Sequence, residues 1–304
     1  ESSPLTHTRR NMSRLLVVLS PAKALDFSAP ARACLDNSMP RLLRGAEEIV
    51  STALVGKSPG QLGKTLGGLS ASLSSLNHRR YQAFLSGAQA PREPGDNAAQ
   101  AITAYNGRAW KGLDQATLDD GAMDYCGSTL RILSGLYGLL RPSDIIQPYR
   151  LDFGTKLKVG EVDGLYRFWG DRVRETLLAD KPDIVVNAAS GEYWKGVGEA
   201  KLRESGVRVV TVSFREGVGK GARVIAVHAK LARGMYVRFM CQNRCASLES
   251  LKRFSEANYA FDSRLSSEDE FVFTRASAPA KKKKVKGKKR PAASAGGRSK
   301  KMKR

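Results

Sequence analysis

The chain has 304 residues, with 51 Lys plus Arg against 29 Asp plus Glu, for a formal net charge of +22. At 41% hydrophobic and 26% charged it has the composition of an ordinary globular protein, and its longest apolar runs, Leu15 to Leu19 and Ile184 to Val186, are far too short to cross a bilayer. These features exclude an integral membrane protein and a disulfide-stapled secreted one. A soluble intracellular protein with free thiols is expected instead, because Cys34 and Cys126 are isolated and Cys241 and Cys245 stand four apart on a helical stretch. With only His7, His78 and His228 besides, no zinc set forms, and no metal or cofactor is expected. Residues 281 to 304 hold 13 basic and no acidic residues, so subtracting 13 from 22 leaves +9 for the rest. A body that stays basic without its tail points to a polyanion partner.

In chain order, residues 1–12 form an extension of uncertain status ahead of Met12, residues 13–278 an α/β domain, and residues 279–304 a basic tail. The domain opens on a strand at Leu15 to Leu19. Ser20 and Pro21 then suit an N-cap and first helical position, although Pro30 limits any helix there. Helical patterns follow at about residues 39–55, 69–86, 97–105 and 120–133, separated by glycine and proline clusters. Leu165, Phe168, Trp169, Val173 and Leu177 recur at helical spacing as one buried stripe. Ile184 to Val186 reads as a buried strand, and Val207 to Phe214 with Arg223 to His228 as a hairpin around the Gly217 to Gly221 loop. A basic helix from about Ala229 to Arg244 and short strands near Tyr259 to Phe261 and Phe271 to Phe273 complete a mixed sheet with surrounding helices.

Residues 129–150 carry a distinct signal. An apolar helical pattern runs into Gly135-Leu136-Tyr137-Gly138, flanked by Arg131 and Ser134 before it and Arg141 after it. Two glycines three apart allow positive φ and leave backbone N–H groups uncovered, so the stretch resembles a helix-hairpin-helix that grips a nucleic-acid phosphate without reading bases. A glycine-rich turn between two core helices is the competing reading.

Seven blocks, in one order, resemble the YaaA family of bacterial peroxide-stress proteins. They are Leu19 to Asp26, Ala104 to Gly107 with Lys111 to Leu113, Leu130 to Pro142, Gln147 to Leu151, Leu165 to Asp171, Asn187 to Tyr193, and Ala229 to Gly234. The resemblance implies a DNA-binding protein with a helix-hairpin-helix in an unusual mixed α/β fold, one that limits peroxide damage by lowering free intracellular iron.

A second constellation comes from the residues themselves. Ser20, Lys23 and Asp26 follow one predicted strand, and Asn187, Ser190, Glu192 and Tyr193 follow another. If those strands are parallel neighbours, their carboxyl ends open onto one crevice, to which Lys230 and Arg233 of the basic helix can contribute. Its carboxylates and lysines suit acid-base chemistry or a phosphate groove equally. Ser20-Pro21-Ala22-Lys23 has the Ser-x-x-Lys spacing of penicillin-binding enzymes but lacks the companion motifs. Gly63-Lys64-Thr65 fails as a phosphate loop because Ser58 stands where the first glycine belongs.

The tail lacks large apolar residues except Val285 and Met302, so disorder is expected there. Lys289-Arg290 and Lys300 to Arg304 are spaced like a bipartite nuclear signal, implying an import receptor as partner and a nuclear or cytoplasmic location; a generic polyanion-binding tail is the alternative. The reading is therefore a largely sequence-independent binder of duplex or branched DNA, with no membrane partner, acting against oxidative stress. The alternative is an enzyme on nucleotides or nucleic acid that uses Lys23, Asp26, Ser190 and Glu192.

Overall fold

A computed structural model describes residues 13–276. The N-terminal extension and the basic tail, with the bipartite signal expected there, lie outside the described residues. The expected mixed α/β architecture is present, as one seven-stranded sheet with helices packed around it. Its strands are β1 (Leu15–Leu19), β2 (Leu130–Ser134), β3 (Gly138–Leu140), β4 (Ile184–Asn187), β5 (Arg208–Glu216), β6 (Ala260–Phe261) and β7 (Glu270–Arg275). Across the sheet the order is β6-β7-β5-β4-β1-β2-β3. The five inner strands are parallel, and β6 and β3 close the edges antiparallel. Every residue of β1, β2 and β4 is buried, as expected when both faces of a parallel sheet are covered.

The chain leaves β1 for β2 on one side, whereas it leaves β4 for β5 on the other. The neighbouring carboxyl ends of β1 and β4 thus form a topological switch point, where open α/β sheets leave a crevice. The pairing of Leu15 with Ile184 through Val18 with Asn187 sets Ser20 and Ser190 side by side above it.

Three local expectations are corrected. The helix read over residues 120–133 stops at Thr129, and Leu130–Ser134 is a strand. Leucine-rich segments are good helix formers, but here pairing with β1 on one edge and β3 on the other overrides propensity. The second correction concerns Ser20 and Pro21, which start no helix. The chain there stays irregular, bridging Leu25 to Tyr105, and Ser20 Oγ accepts from the Ser190 backbone N–H at 2.8 Å. Thirdly, residues 223–228 do not pair along residues 207–214. β4 takes Arg208 to Thr211 on one edge of β5 and β7 takes Thr211 to Glu216 on the other, while Arg223 makes one bridge, to Glu216, and helix begins at Ala226.

The first of these features, together with the glycine turn, changes the functional picture. No helix-hairpin-helix forms: Gly135-Leu136-Tyr137 is the three-residue loop of a β-hairpin, closed by Gly138 at φ 69°. Ser134 Oγ accepts from the Tyr137 N–H at 2.9 Å and bonds the Tyr149 hydroxyl at 2.7 Å. Ser134, Leu136 and Tyr137 are at most 1% exposed. Arg131 is buried against Asp180 at 2.6 Å, and Arg141 is held by Asp144 at 2.9 Å. A Cβ on Gly135 would lie 2.3 Å from the Leu151 carbonyl oxygen, so this glycine serves a close backbone approach. The hairpin is core, and its two flanking arginines are engaged by Asp180 and Asp144.

Candidate functional site

The crevice above β1 and β4 is a cavity of about 530 Å³. Three close backbone approaches build its walls. Helix α1 (Arg108–Leu113) and helix α2 (Ala226–Asn243) cross nearly in contact. A Cβ on Gly112 would lie 2.2 Å from the Leu231 carbonyl oxygen, and one on Gly234 1.7 Å from that of Ala109. Only glycine at both positions permits the crossing, which sets Arg108 opposite Lys230 and Arg233. Gly107 similarly accommodates Ala22, whose Cβ a side chain there would meet at 2.7 Å.

Of the sequence candidates, the structure brings Ser20, Lys23, Ser190, Glu192, Tyr193, Lys230 and Arg233 together on this cavity. Two do not belong. Asp26 turns onto its own loop, accepting from the Ser28 hydroxyl at 2.6 Å and the Ser28 N–H at 3.0 Å. Those bonds, the hydroxyl's foremost, lower its pKa from the usual carboxylate value. Asn187 lies buried at the end of β4, donating to Thr211 Oγ1 at 3.2 Å and accepting from the Ala189 N–H at 3.0 Å. It shapes the turn beneath the cavity.

Sequence reasoning missed Asn106, Arg108, Trp110 and Asp152, all of which line the cavity. Asp152 is central: Lys23 Nζ lies 2.7 Å from its Oδ2, and the Tyr193 hydroxyl donates to its Oδ1 at 3.2 Å. Burial, followed by the charge of Asp152, raises the Tyr193 pKa far above the ordinary phenol, so the hydroxyl remains a donor. Asp152 immediately follows the Gln147 to Leu151 block, and the approach of Leu151 to Gly135 fixes its backbone. A carboxylate one residue beyond a recognised block was the available signal.

Exposure grades the cavity. Leu19, Trp110, Ala188 and Tyr193 are buried and form its floor, while Lys23, Arg108, Glu192 and Lys230 are exposed at its rim. Arg233 lies between: its Nε is fully enclosed yet has no hydrogen-bond partner, and burial lowers its pKa. A guanidinium remains charged in proteins, so an enclosed donor without an acceptor favours an incoming anion. Among the described residues no group of three or more His, Cys, Asp or Glu could hold a metal ion.

Comparison with known proteins bears on the same elements. The family model described as peroxide stress protein YaaA matches residues 15–265, from the first strand to beyond β6. A UPF0246 protein of Paracidovorax citrulli is 40% identical over 268 residues, which is 87% of this chain and 100% of the relative. UPF0246 proteins of Polaromonas naphthalenivorans and Hahella chejuensis are each 40% identical over 265 residues, covering 86% of this chain and 98% and 99% of theirs. These relatives are bacterial, which argues against reading the tail as a nuclear address. No helix among the described residues is long and apolar enough to cross a membrane.

Proposed function

The chain belongs to the peroxide stress protein YaaA family, and from that premise we propose that it acts in the oxidative-stress response by binding DNA, largely without regard to sequence, through the switch-point cleft. The observation that carries the reading is Arg233. Its Nε is enclosed without a hydrogen-bond partner, and the side chain lines a cavity whose rim also bears Lys230, Arg108 and Lys23. Phosphate oxygens supply the missing acceptors, and neutralising them releases counterions whatever the base sequence. The test is anisotropy of labelled duplexes of unrelated sequence with the full chain. Arg233→Gln and Lys230→Gln each lower affinity severalfold on every duplex, and the loss narrows as salt is raised. Unchanged affinity in both folded variants refutes the reading.

A second reading, an enzyme on nucleotides or nucleic acid, has one supporting observation, the hydrogen-bonded line from Lys23 through Asp152 to Tyr193. Two proton donors held on one accepting carboxylate can move protons at a bound substrate. Tyr193→Phe then abolishes turnover of a nucleotide or DNA substrate while DNA affinity is kept. If no turnover of such substrates is found with the wild-type chain, this second reading falls.

A further inference from the structure

We propose that the cleft takes a single unstacked nucleotide of the bound DNA, with its phosphate on the Arg233 side and its base or sugar at Asp152 and Tyr193. This inference rests on the DNA-binding reading and specifies what enters the site. Three observations carry it. The first is size: about 530 Å³ falls among the roughly 300–1,000 Å³ cavities that hold small ligands. The body of a duplex stays at the rim with its backbone against Arg108, Lys230 and Arg233, whereas one extruded nucleotide fits inside.

The second observation is charge. A groove built only for backbone phosphates has no use for carboxylates, yet Asp152 and Glu192 line the same cavity as Arg233 and Lys230. Asp152 repels a phosphate but accepts hydrogen bonds from an amino or hydroxyl group. Its neighbour Tyr193, whose one proton goes to Asp152, keeps its oxygen as an acceptor, and the Asn106 amide can both donate and accept. The cavity therefore offers an anion contact and a separate donor and acceptor set, as a nucleotide requires. The third is the wall. Leu19, Ala22, Ala188, Trp110 and Val227 give the polar groups an apolar surround against which a base can lie once it leaves its stack.

Extruding a nucleotide costs a few kcal/mol when it is paired and least when it is mismatched or unpaired, so the site selects DNA with an unpaired position. The experiment uses the full chain and duplexes carrying 2-aminopurine, either opposite thymine or unpaired in a one-nucleotide bulge. Binding raises 2-aminopurine fluorescence strongly at the bulge, and deoxyadenosine monophosphate suppresses that rise where inorganic phosphate at equal concentration does not. Ala24→Leu narrows the mouth at an exposed position without altering charge. That variant loses the rise and the preference for the bulge, while its affinity for the paired duplex stays within about twofold of wild type. A rise that survives in the folded variant, suppression by phosphate equal to that by the nucleotide, or no rise with DNA bound overturns the proposal. Failure of the underlying reading looks different, because then Arg233→Gln leaves duplex affinity untouched.

Discussion

Gly234→Ala tests the helix crossing that builds the cleft. Taken alone, glycine to alanine inside an 18-residue helix stabilises by about 1 kcal/mol, because alanine is the better helix former. Here the new Cβ would lie 1.7 Å from the Ala109 carbonyl oxygen and 2.8 Å from the Leu113 backbone nitrogen. Both are backbone atoms, so no side chain can rotate away, and helix α1 has to move by more than an ångström. Overpacking of this kind costs roughly 1–3 kcal/mol, and a backbone clash belongs at the upper end. The clash outweighs the propensity gain, leaving a net loss of about 2 kcal/mol. For a domain of this size that lowers Tm by roughly 4–8 °C. Gly60→Ala, in a short helix where nothing lies within 4 Å of the new Cβ, is the control and leaves Tm level or slightly higher. Differential scanning calorimetry reads both. DNA affinity of Gly234→Ala falls as well, since Arg233 and Arg108 part with the helices. A Gly234→Ala protein as stable as wild type would refute the close crossing.

Within the cleft, charge orders the variants. Lys23 is already neutralised by Asp152, so Lys23→Ala weakens DNA binding less than Arg233→Ala, Glu192→Ala leaves it intact or tightens it, and Asp152→Asn tightens it by freeing Lys23. The reverse order in anisotropy titrations would show that the cleft does not meet phosphate. Arg131→Met destabilises by about 3 kcal/mol, because it leaves the largely enclosed Asp180 with Arg41 alone, yet it does not change the salt dependence of DNA binding; denaturant melts and a salt titration decide, and an altered slope restores the hairpin as a DNA contact. Burial would raise the Asp180 pKa, but hydrogen bonds from Arg41 and Arg131 outweigh it and lower the value below 3.8. Its stabilisation is therefore present above pH 4 and lost as pH falls through the lowered folded value, so Asp180→Asn flattens the acid limb of a stability profile; an unchanged limb contradicts this. Removing residues 281–304 takes away 13 cations and reduces the slope of log affinity against log salt, and an unaltered slope would exclude the tail from the DNA contact.

How far the sequence could be read depended on the range of the deciding interaction. Leu15 to Leu19 and Ile184 to Val186 were legible as buried strands from composition alone, and with them the crevice, because residues just beyond parallel strands converge wherever the strands are neighbours. The segment Leu130–Ser134 was not. Its leucines satisfy a helical pattern and a two-faced strand equally, and the choice was made by partners 113 residues away in sequence, as Val17 and Leu130 illustrate on adjacent strands. Asp26 and Asp152 show the same limit at the site. Asp26 follows the right strand but is captured locally by Ser28, whereas Asp152 comes from a loop that no strand pattern ties to the crevice.

Glycines in the recognised blocks carry the remaining argument. Gly135 and Gly138 looked like a phosphate turn because positive φ and bare N–H groups are what such a turn needs. The same absence of a Cβ also allows two backbones to touch, and the neighbours decide which use prevails. Leu151 presses on Gly135, Leu42 and Trp169 enclose Gly138, Leu231 presses on Gly112, and Ala109 presses on Gly234. Three of these contacts lead to the cleft: Leu151, pressed on Gly135, positions Asp152, and the crossing at Gly112 and Gly234 positions Arg108, Lys230 and Arg233. The hairpin thus serves the site at one remove. Gly135→Ala separates the two accounts. If the hairpin held phosphate, a methyl group there would weaken DNA binding and spare the fold. If it positions Asp152, a Cβ 2.3 Å from the Leu151 oxygen costs roughly 1–3 kcal/mol of stability and displaces the acceptor shared by Lys23 and Tyr193. Loss of bulge selectivity with little loss of paired-duplex affinity then follows, and the opposite pattern in a fully stable variant would return the hairpin to the interface.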